Sequence, residues 1–210
     1  MQTRSDSRII ICMASIWLGL SVLGFLLLVD YDTTPGAGAR APRHWASTAL
    51  IEPLAGKCTL VMFAHPHCPC TRASIAELSV LMTRCQDKVH AIVLFLKPGG
   101  FPPGWEKTDL WYEASRIPGV TVTTDEDGAA SRQFAAVTSG QTFVYSTAGS
   151  LLFSGGITAS RGHAGDNEGL ETAVAAIAAG TPAPGPALVF GCPLIAGKSG
   201  SEAAWRPAFK

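Results

Sequence analysis

Neither sign of charge prevails in this 210-residue chain, where 16 basic side chains stand against 16 acidic ones and charged residues make up only 15%. No basic run offsets that balance locally, so the electrostatic footprint of a nucleic-acid binder is missing. Scarce charge combined with 47% apolar residues also excludes a disordered chain. Six cysteines are too few to frame a disulfide-built miniature fold of this length. Also lacking are an internal repeat, a glycine-rich phosphate loop, a nucleophile-elbow serine and a paired-carboxylate motif. What is there is enough chain for one domain with appendages and a core of its own.

The apolar residues are unevenly spread. Ile9 to Val29 is a charge-free run of 21 residues, 17 of them apolar. At ~1.5 Å rise per residue, a helix of this length crosses a hydrocarbon layer of ~30 Å. Arg4 and Arg8 precede it and Asp30 and Asp32 follow, which favours a cytoplasmic N-terminus and an exported remainder. Ala37-Gly38-Ala39 resembles a signal-cleavage site. It lies far beyond an apolar run that is itself too long for an ordinary signal core, so an uncleaved anchor is expected. The chain therefore divides into a flank (1–8), a membrane anchor (9–29), a Gly/Ala/Pro-rich tether (30–45), a globular domain (46–180) and a Pro-rich tail holding Cys192 (181–210).

Within the globular part, Cys58–Ala64 and Val89–Leu96 read as buried strands. Between them, Ile75, Leu78, Leu81, Met82 and Cys85 recur at helical spacing, which predicts a helix over Thr71–Cys85. Further helices are expected over Trp105–Ser115, Ala129–Val137 and Glu168–Ala179, the last capped by Asp166 or Asn167. Strands are expected over Val120–Thr124, Gln141–Ser146 and Leu151–Ser154, the last two joined by a hairpin loop. This order implies an α/β fold with a mixed sheet and helices on both faces.

The residues that suggest chemistry lie in the first strand-to-helix turn, His65-Pro-His67-Cys68-Pro-Cys70-Thr71. Thiols at a helix start meet unpaired backbone N–H groups and the positive end of the helix dipole, which favours the thiolate. His65, His67 and Arg72 can add positive charge in the same sense. Cys68 is expected to attack and Cys70 to resolve. Their one-residue spacing closes a small, strained and therefore oxidising ring. No nucleic acid is expected as partner. Exported protein thiols or a redox partner are.

Three stretches give the sequence a family resemblance. They are the cysteine turn His65–Ser74, the run Ser154–Asn167, and the closing Val189-Phe-Gly-Cys-Pro-Leu194. Over about Gly56 to Leu194 the chain resembles the thioredoxin superfamily, and within it the RedB-type membrane-anchored thioredoxin-like proteins. The resemblance implies a thioredoxin-like fold and thiol–disulfide chemistry; no cofactor is expected. Two positions depart from the thioredoxin pattern. One residue separates the cysteines instead of two, and Gly140 stands near where the cis-proline is expected.

Metal binding, copper above all, is the alternative, because His65, His67, Cys68 and Cys70 offer soft sulfur and borderline nitrogen suited to copper(I) or zinc, and with copper His163 can join Cys68 and Cys70 as a distant ligand. Proteins that deliver copper to oxidases also use a thioredoxin-like fold with paired cysteines and a distant histidine, so fold alone does not separate the two readings. Arg161 and His163 can instead tune the thiolate or bind a substrate anion. Cys58 and Cys85 read as small core hydrophobes. Cys192 is open to two roles, a mobile resolving thiol or a partner of one of these.

Overall fold

The structure is a computed structural model that describes residues 3–45, 51–85 and 87–194. It comprises two compact units, Met1–Thr34 and Pro35–Lys210. Residues 46–50, expected at the start of the domain, and 195–210 of the expected tail lie outside the described residues.

The first unit is one helix, α1 (Thr3–Thr33). Its stretch Ser7–Thr33 is long and apolar enough to cross a membrane, and the apolar side chains from Ile9 to Val29 are exposed along it. A helix that presents Ile10, Trp17 and Phe25 outward suits a lipid surrounding far better than water.

The second unit is built on five strands: β1 (Cys58–Ala64), β2 (Val89–Lys97), β3 (Val120–Glu126), β4 (Thr142–Tyr145) and β5 (Leu151–Gly155). Their order in the sheet is β3-β2-β1-β4-β5. β1, β2 and β3 run parallel, while β4 is antiparallel to β1 and β5 to β4. The helices are α2 (Pro69–Cys85), α3 (Asp109–Ser115), α4 (Ala129–Gln133) and α5 (Glu168–Ala179). This is a thioredoxin-like fold, as the sequence resemblance implied.

β1 is apolar from Leu60 to Ala64 because both faces of the sheet are covered. Leu60, Met62 and Ala64 join Leu78 and Leu81 of α2, Leu110 of α3, and Leu170 and Ile177 of α5 in one core. Val61 and Phe63 turn to the other, which gathers Ala130 of α4, Phe134, Phe143 and Tyr145. The buried Asp125 carboxylate accepts from the N–H groups of Ala130 and Ser131 at 2.8 and 3.0 Å, which fixes the start of α4. Asn167 caps α5 by accepting from the Leu170 N–H at 2.7 Å.

Three expected boundaries move by several residues, the first being the helix expected over Ala129–Val137, which ends at Gln133. The tether does not stay free past Thr34. The Leu151 N–H donates to the Arg43 carbonyl, the Trp45 N–H donates to the Gly149 carbonyl, and Trp45 stacks edge-on against Phe134 and Tyr145. Two of these contacts are backbone pairings, which a hydrophobic period does not reveal, and the third is the ring of an isolated Trp45. The second expected helix begins at Asp109 instead of Trp105. Residues 102–107 are held in turns, with the Trp105 N–H on the Pro102 carbonyl and the Lys107 N–H on the Gly104 carbonyl.

Candidate active site

The turn after β1 delivers Cys68 to the start of α2. Pro69 opens the helix, where its fixed φ fits and its missing N–H costs nothing. Cys68 and Cys70 are both buried, at 2% and 6% exposure. Thr71, which follows Cys70, is buried and turns inward. Its hydroxyl donates to the His65 carbonyl at 3.0 Å and lies 2.8 Å from Ser139 Oγ, which in turn accepts from the His65 N–H at 2.9 Å. The cysteine turn is thereby fastened to the loop before β4.

A third thiol arrives from the far end of the chain. Residues 183–194 form an arm along the sheet edge and the loop before β4. The Ala183 N–H donates to the Leu152 carbonyl, the Ala187 N–H to the Ser154 carbonyl, and the Gly156 N–H to the Leu188 carbonyl. The Ser139 N–H then donates to the Cys192 carbonyl at 2.8 Å and the Leu194 N–H to the Val137 carbonyl at 2.9 Å, with an antiparallel bridge between Thr138 and Pro193. Gly191 is required here, because a Cβ would stand 1.9 Å from the Ser139 carbonyl oxygen. The result is that Cys192 Sγ lies 3.0 Å from Cys68 Sγ. The sulfurs of Cys68, Cys70 and Cys192 all lie within 4.8 Å of one another.

Burial alone would raise all three thiols, yet they diverge. Cys68 is lowered from 9.0 to about 5, first by the hydrogen bond with the Cys192 thiol. Backbone N–H groups of Cys192, Cys70 and Thr71 add to this, overcoming its burial. Cys70 is raised, by burial first and then by the negative charge on Cys68. Cys192 is raised because its proton serves the Cys68 thiolate, with burial acting in the same direction. The site thus holds one thiolate beside two thiols.

The other expected residues fall into place around this centre. His65 is pushed below its ordinary value, chiefly by burial, which favours the neutral ring over the cation. His67 is exposed, packs against the Trp105 ring at 4.5 Å and places Nε2 3.2 Å from the Trp105 carbonyl. Arg72 directs its guanidinium to Asp109 and Glu113 of α3, with 2.6 Å to Glu113, on the surface. Gly140 has φ +88°, and a Cβ there would meet Ser74 Oγ at 2.7 Å. Among the described residues there is no cis peptide bond. Arg161 donates from Nη1 to the Gly191 carbonyl at 2.5 Å and favours the charged forms of Cys70 and Cys192. His163 is exposed, with Nδ1 2.7 Å from the Arg161 carbonyl, and its ring is not among the ligand atoms that gather with the sulfurs.

Sequence reasoning located Cys68 and Cys70 but left Cys192 open between two roles, and it placed Trp105 only at the start of an expected helix. The closing Gly-Cys-Pro was the available signal. Cys58 and Cys85 pack with the core beneath α2, as expected of small core residues, and burial raises both thiols.

No family model matches the chain, and no curated protein matches it. Among solved structures it is similar to an uncharacterized conserved protein from Geobacillus kaustophilus, with a TM-score of 0.57 and 16% identity over 84% of this chain and 95% of that one. It is also similar to a hypothetical protein from Sinorhizobium meliloti, with a TM-score of 0.55 and 17% identity over 77% of this chain and 93% of that one. A secreted disulfide oxidoreductase of Mycobacterium tuberculosis aligns at a TM-score of 0.43, 15% identity, and 60% and 84% coverage. At these identities the likeness concerns the fold.

Proposed function

We propose that the protein is a membrane-anchored thiol–disulfide oxidoreductase of the RedB type, acting outside the cytoplasm on exported protein thiols or on a redox partner. In a Gram-negative cell that compartment is the periplasm. The arginines at 4 and 8 ahead of the apolar helix support this orientation. The observation that carries the chemistry is the 3.0 Å approach of Cys192 Sγ to Cys68 Sγ.

The Cys68 thiolate attacks a partner disulfide, forming Cys68–S–S–R and releasing the other partner sulfur as thiolate. A second thiol of this chain then gives up its proton and attacks the Cys68 sulfur, closing an internal disulfide and releasing R–S⁻. The partner gains two electrons and this protein loses them. The same steps in reverse oxidise a partner dithiol. Cys192 takes the resolving step in this reading, because it already touches Cys68 and its closure needs no one-residue ring. Cys70, the resolving thiol expected from sequence, is the reserve.

Redox titration of the full-length protein in detergent, followed by disulfide mapping, tests this. The expected product of mild oxidation is Cys68–Cys192, replaced by Cys68–Cys70 in the C192S variant. If Cys68 enters no disulfide at any potential, the mechanism fails.

A further inference from the structure

The three sulfurs outnumber what one disulfide can use. Cys68, Cys70 and Cys192 converge from the start of α2 and from the arm, and whichever pair closes, one thiol is left over. Three sulfurs around an ion in their own plane, at a metal–sulfur distance of ~2.3 Å, stand ~4.0 Å apart. The separations here are 3.0 Å for Cys68 and Cys192, and none exceeds 4.8 Å. The triangle therefore brackets that size and needs only small side-chain adjustments.

Among the described residues, no histidine or carboxylate joins this group. The donor set is three soft sulfurs without nitrogen or oxygen. Zinc in a closed site takes four ligands and this group supplies three, whereas three thiolates suit copper(I). Arg161 lies where its charge favours ionised Cys70 and Cys192, and backbone N–H groups face Cys68, so excess negative charge at the site is offset.

We propose that the fully reduced protein binds one copper(I) ion through Cys68, Cys70 and Cys192. The ion replaces the remaining thiol protons, three copper–sulfur bonds form, and no electron is transferred. His163, the third ligand expected from sequence, takes no part. Metal and disulfide exclude one another, because closing Cys68–Cys192 removes two of the three ligands.

The test uses full-length protein in detergent, reduced and kept anaerobic, titrated with copper(I) supplied as its bicinchoninate complex. One copper per chain is expected, with three sulfur neighbours and no nitrogen in X-ray absorption. The C192S variant should leave two sulfur neighbours and lose more than about ten-fold in affinity, while H163A binds as the parent does. The disulfide form should take up no copper at this site. Absence of uptake by the reduced parent, a nitrogen neighbour lost in H163A, or preferred uptake of zinc(II) would each overturn the proposal. The parent's absorption spectrum decides even if C192S does not fold. Metal-free disulfide mapping is read separately, so failure here leaves the redox reading intact, and the reverse also holds.

Discussion

Cys68 and Cys85 bound the same helix and are similarly buried, at 2% and 6% exposure, yet their thiols are driven in opposite directions. Cys85 ends α2 against Leu81, Met82 and the sheet, where burial makes the charged form costly. Cys68 precedes the first turn, where backbone N–H groups and a neighbouring thiol face its sulfur. Burial therefore does not decide reactivity in this molecule. The polarity of the helix end and the company of a second sulfur do.

The sharpest way to break this comparison is Cys68→Ser. It should lower thiol–disulfide exchange by more than about a thousand-fold, measured as turnover of a disulfide-bonded protein substrate, while Cys85→Ala leaves turnover at the parental rate. A similar loss in both variants would show that the two ends of α2 are not chemically distinct.

Gly191→Ala attacks the same contrast from the arm. The added Cβ collides with the Ser139 carbonyl, so the arm shifts and Cys192 leaves Cys68. Overpacking of this kind costs about 1–3 kcal/mol, visible in urea unfolding, and the yield of Cys68–Cys192 disulfide should fall with it. An unchanged yield would show that the arm does not depend on this close approach.

The pH dependence of alkylation sharpens the comparison further. In reduced, chelator-treated protein, the Cys68 thiolate persists as pH falls from neutral, and its alkylation rate drops only near and below about pH 5. Cys192→Ala takes away the principal cause of that lowering, a thiol hydrogen bond, so the drop should begin at a higher pH. Cys58 and Cys85, both raised by burial, should alkylate only well on the alkaline side. Coincident profiles for the parent and C192A would remove Cys192 from the account. The smallest expected effect is on stability, where Cys85→Ala loses about 1 kcal/mol from the core through its missing sulfur.

Much of the fold was legible because strands and helices leave periodic traces. Leu60 to Ala64 and the α2 stripe of Ile75, Leu78, Leu81 and Met82 are bounded in the structure nearly as in the sequence. The cysteine turn was legible because two thiols at a strand-to-helix junction make poor core filler. Cys192 was legible only as a choice between two roles, since its 124-residue separation from Cys68 is spanned by backbone pairings to Ser139 and Val137 that carry no side-chain pattern. The residues from Pro35 to Trp45 escaped for the same reason. Arg72 shows the converse case. Its nearness in sequence to the thiols suggested a cation at the site, but two carboxylates of α3 take its guanidinium outward.

The arm also sets a clock. A thiol tethered 3.0 Å from its target acts at an effective concentration far above that of a dissolved competitor, as high as ~10⁵ M when orientation is good. Any mixed disulfide on Cys68 is therefore short-lived, and its partner is released almost as soon as it is captured. Under the proposed function, selection among partners then rests on the encounter and the first attack, not on how long a complex survives. Catching the partners in the act requires removing Cys192, because removing Cys70 leaves the fast exit open.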